Sequence, residues 1–314
     1  MREGNLRIRS APRSIQCSGT VPPLSNLVTS RIPHSVASKV RVAAIDFLNP
    51  APLMWDFEHP PLAAQLSQRY AINYTRPSQC AADLLAGRAD VGLIPIAALT
   101  PELAIVPGCA IASLDRVRSI QLIVRGDRAL EDVRTVAADT ASRSSVAYAE
   151  VLFRKFLGAS PEFIASAADP VAMLQSADAA LLIGDPALLA LEARETIEAD
   201  LGRCQWFDIA HEWHNRTGLP WVAAVWAARS DVIAVSARLI EDLNQSRVNG
   251  LEHIDDLVAE WTPRIAIPPA TIHVYLTENI HYTLDDGCIE TLHLFRRYAA
   301  EIGVLPPLPE LLFL

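Results

Sequence analysis

Cysteine is sparse and unpatterned. Cys17, Cys80, Cys109, Cys204 and Cys288 are odd in number and no two form a CxxC pair, which argues against a disulfide framework and for reduced thiols. Glycine is low at 13 residues and proline moderate at 22, so collagen-like and low-complexity structure are excluded. No apolar run approaches the roughly 18–20 residues that span a bilayer. No compact apolar stretch precedes a small-residue cleavage site at the N-terminus, so no export signal is read there. There is no P-loop, no GxGxxG and no GxSxG, the signatures of phosphate cradles, dinucleotide turns and nucleophile elbows. Positive charge is scarce beyond the start of the chain. Residues 1–41 hold seven basic residues against Glu3 alone, and the net charge of −9 leaves −15 for the rest. A body that acidic is a poor partner for nucleic acid, whose phosphates need clustered Lys and Arg.

What is present is a globular chain. Its 314 residues, 51% hydrophobic and 20% charged, suffice for two domains of ordinary size. Residues 1–40 are expected to form a basic extension without ordered structure, a tail or the product of an upstream start codon rather than a transit peptide. From Arg41 onward short apolar runs alternate with amphipathic stretches. Strands are expected at Val42–Ile45, Ile72–Thr75, Val91–Ile94, Ser119–Val124, Thr135–Ala138, Glu162–Ala165, Ala179–Ile183 and Trp221–Ala227. Helices are expected between them and over 235–260, 269–276 and 285–301. Two prolines in Asn49-Pro50-Ala51-Pro52 are read as barring regular structure there. The rhythm predicts an α/β fold with mostly parallel sheets, which bind small ligands beyond the carboxyl ends of their strands.

The loops at those ends carry the chemistry. Asn49 follows the first strand, offering a donor and an acceptor. Ser78 follows the second and reads as a helix N-cap. Ser142, Arg143, Ser144 and Ser145 open a long helix, where free N–H groups, the helix dipole and a guanidinium together suit a carboxylate. Gly184 and Asp185 follow the strand ending at Ile183, with Pro186 suited to a first helical turn. Each has a plainer reading: Ser78, Ser145 and Asp185 as caps, Asn49 as a turn residue. His211-Glu212-Trp213-His214 places its second His one position early for a zinc helix. Trp206, Trp213, Trp221 and Trp226 read as core rather than as a ligand platform.

Several segments resemble one family, the chorismate dehydratases of the futalosine route to menaquinone. Phe47 to Leu53 is similar to its "YLN-x-x-PL" opening, with Phe47 in place of the usual Tyr and Asp46 in place of a small residue. Ala89 to Pro95 also fits the family. Ser142 to Ser145 resembles its "SRTS", Leu181 to Asp185 its "LLIGD", and Thr217 to Val222 with Val225 to Ala227 its "TGLPFV-x-AVWA". Tyr275-Leu276 with Ile280 and Tyr282 resembles its C-terminal helical signature. The likeness runs in order from about residue 41 to 305.

The resemblance implies a two-lobed fold of the type II periplasmic-binding-protein kind, with the chain crossing twice between lobes. On that map the lobes are 42–115 plus 228–314, and 116–227. It implies an enzyme that removes water from chorismate, a dianion, in the cytoplasm, with no cofactor, no metal and no nucleic-acid or membrane partner. Asn49 and Ser78 are then expected to be catalytic. Ser119, Ser142, Arg143, Ser144, Ser145, Gly184 and Asp185 are expected to bind substrate. Two alternatives stay open: a small-anion solute-binding module of the same fold, and the sister lyase acting on cyclic dehypoxanthinyl futalosine.

Overall fold

The computed structural model describes residues 39–140, 143–230, 236–308 and 310–314. The expected N-terminal extension therefore falls outside the described residues but for its last two, as do Ser142 and the expected start of a helix at Val235. Residues 38–314 form one compact unit.

The elements run in chain order as follows. β1 (Val40–Ile45) leads to α1 (Ala51–Glu58) and α2 (Ala63–Arg69). Then come β2 (Tyr70–Thr75), α3 (Pro77–Leu85), β3 (Val91–Pro95) and β4 (Leu103–Ser113). β5 (Ile120–Arg125) and β6 (Thr135–Asp139) precede α4 (Ser144–Val151), which continues as a π turn over Leu152–Phe156. β7 (Glu162–Ser166), α5 (Pro170–Ser176), β8 (Ala179–Ile183), α6 (Gly184–Glu192), α7 (Arg194–Leu201), β9 (Cys204–Asp208) and α8 (Ile209–Thr217) follow. The chain ends with β10 (Trp221–Arg229), α9 (Ser236–Glu252), α10 (Ile254–Ile265), α11 (Pro269–Val274), β11 (His281–Thr283), α12 (Asp286–Glu301) and β12 (Leu312–Phe313).

Two sheets result. One has the order β11-β4-β10-β3-β1-β2, with β12 also pairing β4; the other is β7-β6-β8-β5-β9. Each is the core of one lobe. The chain leaves the first sheet after β4, builds the second from β5 to β9, and returns as β10. β1 pairs β2 and β3 in parallel, and β6 does the same with β7 and β8. The antiparallel pairings all involve β4, β10 or β5, the strands on either side of a crossing. β10 pairs with β3 and β4 along its length, so residues from Trp221 onward already lie in the first sheet. Among the described residues, no helix is long and apolar enough to cross a membrane.

Local sequence explains the departures from expectation. Pro50 and Pro52 do not bar a helix; Pro52 sits in the first turn of α1, where the missing N–H would have had no partner anyway. The long helical region expected over 235–260 is built from two helices, α9 and α10, separated by His253. β4 escaped the sequence reading because Pro107-Gly108 interrupts it; Gly108 takes φ +101°.

α1 carries the loop that holds Asn49, and α9 holds α1 in place. Asn249 donates to both carboxylate oxygens of buried Asp56 at 3.0 and 2.9 Å, and the Asp56 N–H donates to Ser246 Oγ at 3.0 Å. The helices meet most closely at Gly250, where an added Cβ would stand 2.0 Å from the Pro52 carbonyl oxygen. Backbone cannot yield as a side chain can. Gly250→Ala is therefore expected to push the helices apart and cost about 3 kcal/mol, the upper end of ordinary overpacking, read as a lowered urea midpoint at unchanged m-value.

Candidate functional site

A cleft lies between the lobes, with about 510 Å³ of space between its atoms, mouth included. The first lobe contributes Phe47 and Asn49 from the loop after β1, Pro77 from the start of α3 and Pro95 from the end of β3. The second contributes Arg143, Ser144 and Ser145 from the start of α4, and Ile183 and Gly184 from the start of α6. Ser119 and Ile120 enter at one crossing, Trp221 and Ala223 at the other. The walls are mostly apolar, so each polar group among them stands out.

Six of the residues expected from sequence thus line one cleft: Asn49, Ser119, Arg143, Ser144, Ser145 and Gly184. Asn49 Oδ1 is buried with no hydrogen-bond partner. Ser144 and Ser145 are not caps. Arg143 occupies the N-cap position and the two serines form the first turn of α4, both buried. Ser144 Oγ accepts the Ala97 N–H across the cleft at 3.1 Å, which leaves its own proton to donate. Gly184 lines the cleft, but its N–H is donated to the Ser119 carbonyl at 2.8 Å, so it offers a ligand no donor. What Gly184 provides is room: at φ +62°, an added Cβ would meet the Phe47 ring at 2.8 Å.

Ser78 and Asp185 stand elsewhere. Ser78 is not the N-cap of α3: Arg76 takes that position, Pro77 opens the helix, and Pro77 rather than Ser78 reaches the cleft. Asp185 turns back across the lobes and accepts the Leu48 N–H at 3.1 Å. Burial pushes its carboxyl up to about 6; the Leu48 hydrogen bond opposes that rise and the nearby Asp46 charge adds to it. Trp221, expected as core, lines the cleft although it is fully buried.

The electrostatics favour an anion. Among the described lining residues Arg143 is the one charged side chain, and it makes no ion pair with another described residue. The first N–H groups of α4 and the positive end of its dipole add to it. Phe47 also walls a second hollow, of about 850 Å³, lined by Asp46, Glu58, His59, Tyr74, Glu260 and Arg264. Asp46 therefore faces that hollow, away from the anion-favouring cleft, and so does His59. Among the described lining residues of the cleft itself there is neither imidazole nor carboxylate.

The groups that resemble metal sites have other work. His211 is bonded to Asp115 and Arg116, while His214 turns to the Leu219 carbonyl. His281, Asp285 and Cys288 lie close together. Asp285 caps α12 through the Cys288 N–H at 2.9 Å and also takes His281 Nε2 at 2.7 Å. Burial pushes the Cys288 thiol up to about 12, so it stays protonated.

Two α/β lobes joined by paired crossings, with polar helix starts around the cleft between them, define a protein of the periplasmic-binding-protein fold. Solved structures agree. A protein from Archaeoglobus fulgidus superposes with a TM-score of 0.66 at 16% identity, covering 87% of this chain and 100% of that one. The periplasmic aliphatic sulphonate binding protein of Escherichia coli gives 0.60 at 13% identity, covering 88% and 93%. Sequence narrows the class: the profile of a family described as menaquinone biosynthesis matches residues 40–301, and the chain belongs to that family. It is also similar to the chorismate dehydratase of Thermus thermophilus, 30% identical over 193 residues, 59% of this chain and 69% of that protein.

Asp185 yields a test of the interlobe contact. A carboxyl whose folded value lies above its unfolded one, about 3.9, disfavours folding as it ionises. Its contribution to stability therefore falls as pH rises from about 4 to about 6, by on the order of 3 kcal/mol in full. Asp185→Asn keeps an acceptor for Leu48 and removes the titration. The melting temperature of wild type is expected to fall relative to the variant across that window and to run parallel above it.

Proposed function

We propose that this chain dehydrates chorismate to 3-[(1-carboxyvinyl)oxy]benzoate, as a cytoplasmic step of menaquinone biosynthesis by the futalosine route. The observation that carries the reading is the composition of the cleft: hydroxyls, a guanidinium and a helix N-terminus set among apolar walls, with no acid or imidazole among the described lining residues. Such a site suits a dianion and leaves the proton transfer to the bound molecule. The similarity to a protein named chorismate dehydratase supports the same reading.

The chemistry needs little more. Chorismate carries a ring carboxylate, an enolpyruvyl ether at C3 and a hydroxyl at C4. The C3–H bond breaks and its electron pair enters the ring as the C4–O bond breaks. The proton passes to the enolpyruvyl carboxylate and from it to the departing hydroxide, which leaves as water with the carboxylate regenerated, and the ring becomes aromatic. Holding the carboxylate over C3–H is the enzyme's main contribution, worth roughly 7–11 kcal/mol where the geometry is right. In this assignment the Ser144 and Ser145 hydroxyls and the N–H groups at the start of α4 hold one carboxylate, with Arg143 at the rim. Asn49 and Ser119 hold the other acid group or the leaving hydroxyl, and hydrogen bonds to developing charge there lower the barrier. Ser78, behind Pro77, supports the α3 start and is not assigned a catalytic role.

The likeness to binding proteins favours one other reading, a solute-binding module. Incubation with chorismate separates the two. A product lighter by one water supports the dehydratase; chorismate recovered unaltered from a stoichiometric complex supports the module. If the dehydratase reading holds, Asn49→Ala is expected to lower kcat by on the order of 100-fold with little change in melting temperature, because Asn49 Oδ1 has no partner in the fold to lose.

A further inference from the structure

Trp221 is fully buried, lines the cleft, and its indole Nε1 has no hydrogen-bond acceptor. Of the other indoles in the same stretch, Trp226 also lacks an acceptor, while two are satisfied within the fold. Trp206 donates to Glu198 Oε1 at 2.8 Å, and Trp213 donates to the Pro220 carbonyl at 3.0 Å. A buried N–H left without an acceptor is costly, and of the two orphaned indoles Trp221 is the one that lines the cleft.

Position supports this. Trp221 and Ala223 both line the cleft from the start of β10. The indole packs on Tyr148, with ring centroids 5.5 Å apart. Tyr148 belongs to α4, the helix that opens with Ser144 and Ser145. The Tyr148 hydroxyl already accepts the Val222 N–H at 3.5 Å. The register partner of Trp221 is Ser113, whose buried Oγ is also without a partner. The Trp221 ring thus stands at the α4 end of the cleft, packed on Tyr148.

We propose that Trp221 is a substrate-binding residue, its indole N–H donating to an oxygen acceptor of the ring acid in the cleft. The assignment rests on the dehydratase reading and adds to it a contact that no carboxylate-binding helix start supplies.

The test uses the full chain and three proteins. Trp221→Phe keeps an aromatic ring and removes the donor. Trp226→Phe is the control: Trp226 is equally buried and its Nε1 is equally without an acceptor, but it does not line the cleft. With chorismate as substrate, Trp221→Phe is expected to raise KM roughly tenfold, the worth of one hydrogen bond to a charged acceptor, with kcat changed far less. Trp226→Phe is expected to keep the wild-type KM. In 15N-labelled wild type, the Trp221 indole N–H resonance, assigned by triple-resonance spectra, is expected to move downfield once chorismate is added and converted in the tube. If wild type dehydrates chorismate but this resonance stays fixed, or a folded Trp221→Phe keeps the wild-type KM, the Trp221 assignment is overturned and the dehydratase reading stands. If wild type leaves chorismate unaltered, the dehydratase reading is overturned, and the ligand assigned to Trp221 with it.

Discussion

An anion drawn from water into an apolar groove must be met there by donors, or it stays in water. That constraint organises the interlobe cleft. Its walls are isoleucine, proline, phenylalanine and alanine, and its polar groups are donors or can act as donors: two serines at a helix start, a third at a crossing, an arginine at the rim. Acidic side chains close by are turned away. Asp46 faces the neighbouring hollow behind Phe47, and Asp185 is spent on the Leu48 N–H. Among the described residues, the acidic side chains near the cleft are thus kept apart from the region proposed to attract negative charge.

The lobes meet through small, specific contacts. The Leu48 N–H reaches Asp185, the Ala97 N–H reaches Ser144, and the Phe47 ring lies where only glycine fits at 184. Away from the cleft, Tyr148 of α4 stacks on Phe295 of α12 with centroids 4.2 Å apart, and Lys155 pairs with Glu301. Ser144 belongs to both sets, since the oxygen that accepts from Ala97 is that of a cleft-lining hydroxyl.

Much of this was legible in the sequence, because α/β folds place function at the ends of strands. Reading polar residues after Ile45, Ala138 and Ile183 found Asn49, Arg143, Ser144, Ser145 and Gly184, and the resemblance added Ser119. What failed did so for local reasons. Ser78 looked like a cap because hydroxyls usually cap; Pro77 had already opened the helix. Gly184 was expected to bind substrate, but its N–H is donated to the Ser119 carbonyl, and no pattern in one sequence shows that Phe47 will lie against it. Trp221 sits in a tryptophan-rich, apolar stretch that reads as core. Only the pairing of β10 with β4 shows that its start faces a cleft, and only the tally of hydrogen bonds shows its N–H to be unmet.

The double crossing has one further consequence. Ser119 and Trp221 sit where the chain passes between lobes, while Asn49 rides with the first lobe and Ser144 with the second. Parting the lobes would separate Asn49 from Ser144 by the full swing and shift the crossing residues least. An arriving molecule would then find a preassembled floor and an unfinished rim. For the dianion proposed above, chain topology would then bear on which acid group is captured first, alongside any difference in donor strength.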